Sequence, residues 1–417
     1  MAKAIKRALY FPIAYYFRFW AQIQLKLWKP KIIAITGSSG KTTLLHLIES
    51  QLGDRAKYSH HANSTYGIPF DILGLRRKSL TPNEWISLFL LAPFRAFNLK
   101  SDKKIYVVEI DCDRPGEGKF LASLLRPDIS LWISTSLTHG SNFDQLVKNK
   151  KFSSVEEGIV YEFGFVPEYT SKLVIANGDS KLIKEELRRT SATIEKVSIN
   201  SLKDYKIHDN RTDFIIGNKS YSINFIAPKE VANSIQMVNL LMKHLNLPVN
   251  NTFKTLTLPP GRNSIFQGIK NTTIIDSTYN ATPDGVRTIL QMFDKYPSKN
   301  KWLILGDMIE LGIGEKEEHE KLANLINSMN LSKIILIGPR VSDFTFPKLK
   351  KGASHFLLPK DGLDYILKNI QGKETLLFKG ARFLEGIIEQ LLLNKNDAEM
   401  LVRREEAWQN RRKAWGL

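Results

Sequence analysis

The chain has 417 residues, 43% hydrophobic and 24% charged, so it can bury two or three domain cores and has a globular composition. A single cysteine, Cys112, excludes an intrachain disulfide and a cysteine-rich metal site and fits a reducing cytoplasm. The net charge of +18 favours anionic partners. Because no zinc-ligand spacing, aromatic RNA-binding signature or basic heptad accompanies this charge, nucleic acid is not expected among them.

Residues 1–30 form a basic and aromatic segment without an acidic residue. Its apolar run, residues 8–21, is interrupted by Pro12 and Arg18 and is too short to span a bilayer. It also lacks the small-residue cleavage site of a secretory signal. Two interpretations stay open at this point. The segment is either an amphipathic helix lying on an anionic membrane surface, or a helix packed on the protein's own surface or on a second subunit.

Strand and helix patterns then alternate along the chain. Predicted strands occupy residues 31–36, 105–110, 129–133 and 173–176, with helices at 42–52 and 230–245. After the Pro-Pro-Gly turn at 259–261, strands at 272–276, 302–305, 333–337 and 375–378 alternate with helices at 284–293, 316–329, 361–370 and 382–393. This alternation predicts an α/β protein with parallel sheets covered on both faces. The predicted divisions are the basic segment 1–30, a first domain at 31–253, and a second domain at 254–417 that ends in a helix.

The strongest local signal is a glycine-rich loop between the first predicted strand and the helix at 42–52. Its sequence is Thr36-Gly37-Ser38-Ser39-Gly40-Lys41-Thr42-Thr43. In such a loop the backbone N–H groups and the helix N-terminus hold phosphates, the lysine neutralises them, and the hydroxyl that follows binds Mg²⁺. A general phosphate loop would have glycine where Ile35 stands, so this is a shorter T-G-x-x-G-K-T form. We expect it to bind the phosphates of a ligand.

That shorter loop resembles the Mur ligase family, and other motifs of the first half follow in the family's order. Residues 61–69, HANSTYGIP, look like the segment that lines the acceptor site; Asn63 matches, whereas His61 and Ser64 replace the usual asparagines. Residues 107–110, VVEI, resemble the strand whose glutamate contacts magnesium. His139 stands in the place of the family's metal-site histidine.

The second half resembles one branch of that family, the one that adds D-alanyl-D-alanine. Residues 260–262, PGR, look like the G-R that reaches the nucleotide. Residues 276–284, DSTYNATPD, are similar to that branch's D-D-x-Y-N-A-N-P-D. Residues 305–312, LGDMIELG, followed by His319, and residues 379–382, KGAR, look like its two remaining motifs. Several motifs in order are more specific than any one of them.

The resemblance implies a central P-loop ATPase-like domain and a C-terminal Rossmann-like domain. It implies an ATP-dependent ligase that forms an amide bond through an acyl phosphate. The catalytic residues would be Lys41, Glu109 and His139. The Mg²⁺ ligands would be Thr42, Glu109 and His139. The nucleotide would contact Gly37, Ser38, Ser39, Gly40, Lys41, Thr42 and Thr43, together with Arg262, Asp276 and Asn280. The substrates would contact Asn63, Thr65, Lys379 and Arg382.

Three features depart from the family pattern. The N-terminal domain that holds the UDP-sugar is expected to be missing, because the phosphate loop begins by residue 37. Residues 156–163 contain no lysine, although the family carries a carbamylated lysine in this region. As a hypothesis, Glu162 supplies the metal-site carboxylate instead. Lys229 and Glu230 replace a histidine–asparagine pair. These departures leave the identity of the substrate more open than the chemistry.

The predicted partners are a cell-wall peptide precursor and an amino acid or dipeptide, in the cytoplasm or at the inner face of the membrane. Two alternatives stay open. One is another Mur-type ligase, folylpolyglutamate- or polyglutamate-forming, against which the motifs at 276–284 and 305–312 argue. The other is a degenerate ATP-binding scaffold protein. Against the scaffold, the chain retains Lys41, Thr42, Glu109, His139 and Asn280.

Overall fold

The computed structural model describes residues 2–60, 62–77, 82–99, 101–413 and 415–417, so His61 of the predicted acceptor segment lies outside the described residues. The chain forms two compact units. The first contains the residues up to Thr135 together with 145–198 and 233–249; the second contains 136–144, 199–232 and 250–417. Residues 136–144 and 199–232, expected in the first domain, therefore pack with the second unit.

The first unit is built on a six-stranded parallel sheet in the order β2-β3-β1-β4-β5-β6. Its strands are β1 (Lys31–Thr36), β2 (Ala56–Tyr58), β3 (Ile105–Ile110), β4 (Ile129–Trp132), β5 (Leu173–Asn177) and β6 (Thr193–Val197). The central strands are buried at nearly every position, as expected for a parallel sheet covered by helices on both faces. The strand order places the ends of β3 and β4 on either side of the end of β1.

Helices precede and connect these strands. Along residues 2–249 they are α1 (Ala2–Trp28), α2 (Lys41–Leu52), α3 (Gly67–Ile72), α4 (Pro82–Asn98), α5 (Glu117–Leu125), α6 (Asp144–Lys148), α7 (Val155–Phe163), α8 (Phe165–Glu168), α9 (Lys181–Glu186) and α10 (Val231–His244). Helix α4 was not among the predicted elements. Among the described residues, none of the helices combines the length and the hydropathy needed to cross a membrane.

Helix α1 is packed on the first unit along one of its faces. Ala14, Phe17 and Ala21 lie on that face and have no exposed surface. The ring of Phe17 contacts Phe70 of α3 and Phe89 of α4, at centroid distances of 4.8 and 5.0 Å. Of the two interpretations of residues 1–30, this face therefore fits a helix packed on the protein's own surface.

The second unit contains two sheets. Residues 199–232 supply a three-stranded antiparallel sheet of β7 (Leu202–Ile207), β8 (Thr212–Ile216) and β9 (Lys219–Ile223). The larger sheet has the order β10-β11-β15-β12-β13-β14, with β10 antiparallel and the others parallel. Its strands are β10 (Ser264–Gln267), β11 (Thr273–Ser277), β12 (Lys301–Gly306), β13 (Lys333–Ile337), β14 (Ser354–Phe356) and β15 (Thr375–Lys379). The antiparallel strands are additions to the predicted parallel sheets.

The helices of the second unit are α11 (Pro283–Lys295), α12 (Glu315–Ser328), α13 (Pro359–Asn369), α14 (Leu384–Leu391) and α15 (Glu406–Lys413). The start of α11 illustrates how the sequence sets these boundaries. Thr282 caps it by accepting a hydrogen bond from the N–H of Gly285 at 3.3 Å, and Pro283 occupies the first turn, where no N–H is needed. Apolar residues of β12, β13 and β15 pack against α13 and α14 in one buried core.

Candidate active site

The predicted phosphate loop joins β1 to α2 at the carboxyl edge of the first sheet, where open α/β sheets bind ligands. Gly37 has a φ of +133°, and a Cβ atom there would lie 2.8 Å from the carbonyl oxygen of Ser134. Gly40, at the N-terminus of α2, has a φ of +85°. The chain therefore needs glycine at both positions, because a side chain would be strained at either and would clash at Gly37.

Ser134, which was not predicted as a site residue, holds the loop in this conformation. Its carbonyl oxygen accepts from the N–H of Ser38 at 3.3 Å, and its hydroxyl oxygen accepts from the N–H of Ser39 at 2.9 Å. The same hydroxyl donates to the carbonyl oxygen of Ser39 at 2.7 Å. Ser134 lies just beyond β4, so the only signal for it in the sequence was its place after a buried strand.

Lys41 is buried at the start of α2, and its ammonium group is held by two partners. It donates to the carbonyl oxygen of Gly37 at 2.5 Å and lies 3.1 Å from Oδ2 of Asp111. Burial acts to lower the pKa of Lys41, but the negative charges of Asp111 and Glu109 outweigh it, so the pKa lies above its ordinary value. Lys41 is therefore charged before any phosphate arrives. Asp111 was also missed, although it stands two residues after Glu109.

Thr42 and Glu109 lie together, as the resemblance predicted. The Thr42 hydroxyl donates to Oε2 of Glu109 at 3.2 Å, and the N–H of Glu109 donates to the Ser59 hydroxyl at 3.0 Å. Glu109 belongs to β3, the neighbour of β1, so the parallel register brings its side chain to the phosphate loop. A hydroxyl and a carboxylate are the oxygen ligands that Mg²⁺ prefers beside phosphates. These two residues fit the predicted metal.

The predicted acceptor segment is anchored to the same edge of the sheet. The carbonyl oxygen of Asn63 accepts from the N–H of Asp111 at 2.8 Å, just beyond β3. Thr65 is fully buried. The Ser64 hydroxyl accepts from the N–H of Gly67, the first residue of α3, at 3.2 Å. Serine can fill this position because its short side chain hydrogen-bonds to the backbone three residues on.

Glu162 is buried in the first unit and caps α5. Its Oε1 accepts from the N–H of Gly116 at 2.8 Å and its Oε2 from the N–H of Gly118 at 3.0 Å. Burial raises the pKa of Glu162, although these two hydrogen bonds act in the opposite direction. With both oxygens bonded to a helix N-terminus, the carboxylate has a structural role that the metal-ligand hypothesis did not include.

Replacing Glu162 with glutamine separates the two roles. An amide would turn its NH₂ group toward one of the two buried N–H donors, so we expect unfolding free energy to fall by about 1–3 kcal/mol. We expect the Mg²⁺ concentration at half-maximal turnover to be unchanged, because both oxygens of this carboxylate already accept hydrogen bonds at the start of α5. Thermal unfolding and a Mg²⁺ titration of ATP turnover measure the two quantities. A large rise in the required Mg²⁺ without loss of stability would instead support the metal-ligand hypothesis.

In the second unit, Asp276 and Lys379 lie at the adjacent ends of β11 and β15. Asp276 is fully buried and accepts from the N–H and hydroxyl of Thr278 at 2.9 and 2.7 Å. Burial raises its pKa. The Lys379 ammonium donates to the carbonyl oxygens of Ser277 at 3.1 Å and Asn280 at 2.6 Å. The predicted residues Asp276, Asn280 and Lys379 thus form one cluster. The two hydrogen bonds from Lys379 hold the backbone of the 276–284 motif in place.

Burial lowers the pKa of Lys379 from 10.5 to about 7, with Asp276 opposing the shift and Arg262 adding to it. The unfolded chain therefore binds more protons than the folded one between these two pH values, and stability should rise as the pH increases from about 7 to about 10. In Lys379→Met this rise should be smaller. Thermal unfolding of both proteins across that pH range measures the difference. Identical pH profiles would contradict the assignment.

The remaining predicted residues of the second unit are fixed by near neighbours. The guanidinium carbon of Arg262 lies 3.8 Å from the ring centroid of Tyr279. Arg382 donates from Nε to Asp307 Oδ2 at 2.7 Å, and Asp307 is fully buried. His319, also buried, bonds through Nδ1 to the carbonyl oxygen of Glu315 at 2.8 Å and through Nε2 to the N–H of Met308 at 3.3 Å. Because Nε2 must accept, His319 is a neutral structural residue, and burial lowers its pKa.

His139 lies in the second unit and meets the 305–312 motif. Its Nδ1 is 2.7 Å from Oε2 of Glu310. Both residues have left-handed backbone conformations, with φ of 49° and 65°. They help to line a cavity of about 130 Å³ that also includes residues 278–282 and Arg403. This cavity is the candidate ligand site of the second unit, and it contains the predicted residues His139 and Asn280.

Comparison with known proteins agrees with this arrangement. The Mur ligase middle-domain model matches residues 35–241, and the Mur ligase glutamate-ligase-domain model matches residues 261–382. A UDP-N-acetylmuramoyl-tripeptide–D-alanyl-D-alanine ligase of Buchnera aphidicola is 26% identical over 387 residues, which cover 87% of this chain and 77% of the relative.

Two solved structures show the same fold. The MurF ligase of Thermotoga maritima, solved in complex with ADP, has a TM-score of 0.73 and 20% identity, covering 93% of this chain and 84% of its own. The folylpolyglutamate synthase of Thermotoga maritima has a TM-score of 0.54 and 14% identity, covering 97% of this chain and 100% of its own. The predicted α/β fold class, family and ATP-dependent ligase class are confirmed. This chain belongs to the Mur ligase family.

Proposed function

We propose that this enzyme joins D-alanyl-D-alanine, or a closely similar amine, to the carboxylate of a cell-wall peptide precursor. ATP would transfer its γ-phosphoryl group to that carboxylate, giving an acyl phosphate and ADP, and the amine would then displace inorganic phosphate to form the amide. The observation that carries the proposal is the phosphate loop, in which a charged Lys41 lies beside the Thr42–Glu109 pair. The names of its relatives supply the substrate class.

The residues in and around this loop have different roles in the first step. The N–H groups of the loop and of the α2 N-terminus bind the phosphates, and Lys41 offsets the negative charge that develops during transfer. Thr42 and Glu109 would hold Mg²⁺, which neutralises phosphate charge when it is bound. Asp111 keeps the Lys41 ammonium at the loop before the nucleotide arrives. Ser134 fixes the backbone on which all of these contacts depend.

The second unit would contribute the remaining substrate contacts. Its cavity is lined by residues 278–282, His139 and Arg403, among others. Arg403 donates to the carbonyl oxygens of Thr278 and Tyr279 at 3.3 and 3.2 Å, so it positions this segment. Arg262, Asp276 and Asn280 stay our candidates for nucleotide contacts. Lys379 and Arg382 stay candidates for the carboxylate of the incoming dipeptide.

A folylpolyglutamate-forming ligase is the second candidate, since such an enzyme shares the fold over nearly the whole chain. Phosphate release from ATP in the presence of Mg²⁺ distinguishes the two candidate functions. We expect release that requires both UDP-N-acetylmuramoyl-tripeptide and D-alanyl-D-alanine, with a mass increase of the tripeptide by one dipeptide less one water. Release that requires a folate and glutamate would overturn the proposal. ATP binding without release under either condition would favour the scaffold alternative.

The proposal also includes the cytoplasmic location and the membrane contact of residues 1–30. The packed face of α1 leaves its other side available, where Leu9, Tyr15, Phe19 and Leu27 are each about half exposed. Exposed aromatic residues beside lysine and arginine favour the interface of an anionic membrane. Replacing Leu9 and Leu27 with aspartate should then weaken binding to such membranes, while the buried face of α1 stays packed.

A further inference from the structure

Helix α4 has an apolar side that the first unit does not cover. Its inner side packs through residues such as Leu88, Ala92 and Ala96, which are 4% exposed or less. On the outer side, large apolar residues are exposed at helical spacing: Ile86 60%, Leu90 72%, Leu91 42%, Phe94 61% and Phe97 61%. Contiguous apolar exposure of this kind marks an interaction site, whereas single exposed apolar residues do not.

The exposed side of α4 continues onto α1. The ring of Phe97 lies 6.3 Å from that of Trp20 in α1, and Trp20 in turn lies 4.9 Å from Phe19. Phe19 is 55% exposed. The Tyr16 hydroxyl donates to the carbonyl oxygen of Phe89 at 2.7 Å, which fixes the two helices side by side. We call Phe19 and the five exposed residues of α4 the outer face.

The charges around the outer face indicate its occupant. Exposed basic residues lie on or near both helices: Lys26, Lys29, Arg76, Arg77 and Arg95. Acidic residues are scarce, since residues 1–48 contain none and residues 72–101 contain Glu84 alone. A second copy of this chain would bring the same positive charge to the contact and would be repelled. A surface that is both apolar and anionic complements the outer face, and an anionic bilayer has both properties.

We propose that the outer face docks the enzyme on the surface of an anionic bilayer, with α4 as the main lipid contact. At 17 residues, α4 is too short to cross a membrane, so it would lie in the interface. The proposal goes beyond the predicted role of residues 1–30, because it moves the principal contact to an element that the sequence did not indicate.

Docking would also place the bilayer near the predicted acceptor segment, residues 61–69. Trp85, on the inner side of α4, lies 5.7 Å from the ring of Tyr66 and 6.4 Å from that of Phe70. The Tyr66 hydroxyl donates to the carbonyl oxygen of Tyr10 in α1 at 2.5 Å. The helices that carry the outer face therefore pack directly on residues 66–70, so a bound membrane would lie near the segment expected to line the acceptor site.

Co-sedimentation of the purified full-length protein with vesicles tests this docking. Vesicles of phosphatidylcholine with phosphatidylglycerol should bind the wild-type protein, and vesicles of phosphatidylcholine alone should bind it less. A double variant, Leu90→Asp with Phe94→Asp, should bind the anionic vesicles on the order of 100-fold less, because two large apolar anchors become charged. The matched control is Leu357→Asp with Leu393→Asp, two residues of the second unit that are 57% and 59% exposed. It should bind like the wild type.

Two results would overturn the proposal. One is equal binding of the wild type and the Leu90→Asp, Phe94→Asp variant to anionic vesicles. The other is a wild-type protein that does not bind vesicles but forms a dimer, together with a double variant that is monomeric. That result would assign the outer face to a second copy of the chain. Thermal unfolding of the variant checks that it folds. Phosphate release measured without vesicles tests the ligase proposal separately, so either proposal can fail alone.

Discussion

Replacing Lys41 with alanine is expected to lower ATP-dependent ligation by about 10²–10³-fold. The Lys41 ammonium is buried, charged and held 3.1 Å from Asp111 at the start of α2, so it is in place to offset charge on a transferred phosphoryl group. Alanine removes that charge and leaves the carboxylates of Asp111 and Glu109 facing the incoming phosphates. Phosphate release with both substrates present measures the loss, and nucleotide titration measures the weaker binding that should accompany it.

The matched control for this experiment is Lys57→Ala. Lys57 also lies in the first unit and also pairs with an aspartate, Asp71, at 3.1 Å, but it lies on β2 rather than at the phosphate loop. We expect Lys57→Ala to keep turnover within a few-fold of the wild type, because a partly exposed ion pair contributes little. A folded Lys41→Ala protein with wild-type turnover would contradict the assignment of this loop to ATP.

Replacing Gly306 with alanine is expected to destabilise the second unit by about 1–3 kcal/mol or more and to reduce activity with it. A Cβ atom at Gly306 would lie 1.9 Å from the carbonyl oxygen of Ala381, which is backbone and cannot turn aside. Gly380 approaches from the other side, since its own Cβ would lie 2.5 Å from the carbonyl oxygen of Gly306. Gly306 of the 305–312 motif therefore packs directly against Gly380 of the 379–382 motif. Urea or thermal unfolding measures the loss of stability.

Gly352→Ala is the control for this second prediction. Gly352 lies in the same unit, and a Cβ atom there would meet nothing within 4 Å. Its substitution should leave stability unchanged or slightly raised, because alanine has less freedom to lose on folding. Equal stabilities of Gly306→Ala and Gly352→Ala would show that β12 and β15 can separate at their ends without cost. The close approach of the two motifs would then not be needed for the fold.

The 305–312 and 379–382 motifs of the second unit contact each other directly, so each depends on the other for its conformation. Asp307 accepts from Arg382 of the 379–382 motif at 2.7 Å and from the N–H of Val341 at 3.0 Å. His319 ties the same loop to α12 through the N–H of Met308. Much of what these motifs encode is therefore the shape of three neighbouring loops at the ends of β12, β13 and β15. The groups left for ligands lie on the cavity beside them.

The sequence by itself determined the fold class, the buried parallel strands and the phosphate loop. These signals are local: strand β1 is an unbroken apolar run, and the loop that follows needs its glycines, Lys41 and Thr42 in fixed succession. The family resemblance also assigned Thr42 and Glu109 to one Mg²⁺ site, and the two side chains lie together at this edge of the sheet. The family followed from the order of the motifs, and comparison confirmed it.

The partners of these residues were decided only by the tertiary structure. Asp111 and Ser134 reach the phosphate loop from β3 and β4, 70 and 93 residues beyond Lys41, and no local pattern distinguishes them from other polar residues after strands. For Glu162 the sequence supported only a hypothesis of a metal-site carboxylate, and its hydrogen bonds to the N–H groups at the start of α5 depend on how α7 packs on α5. Helix α4 shows the same limit, because the sequence contains its apolar residues while only packing separates the covered side from the outer face.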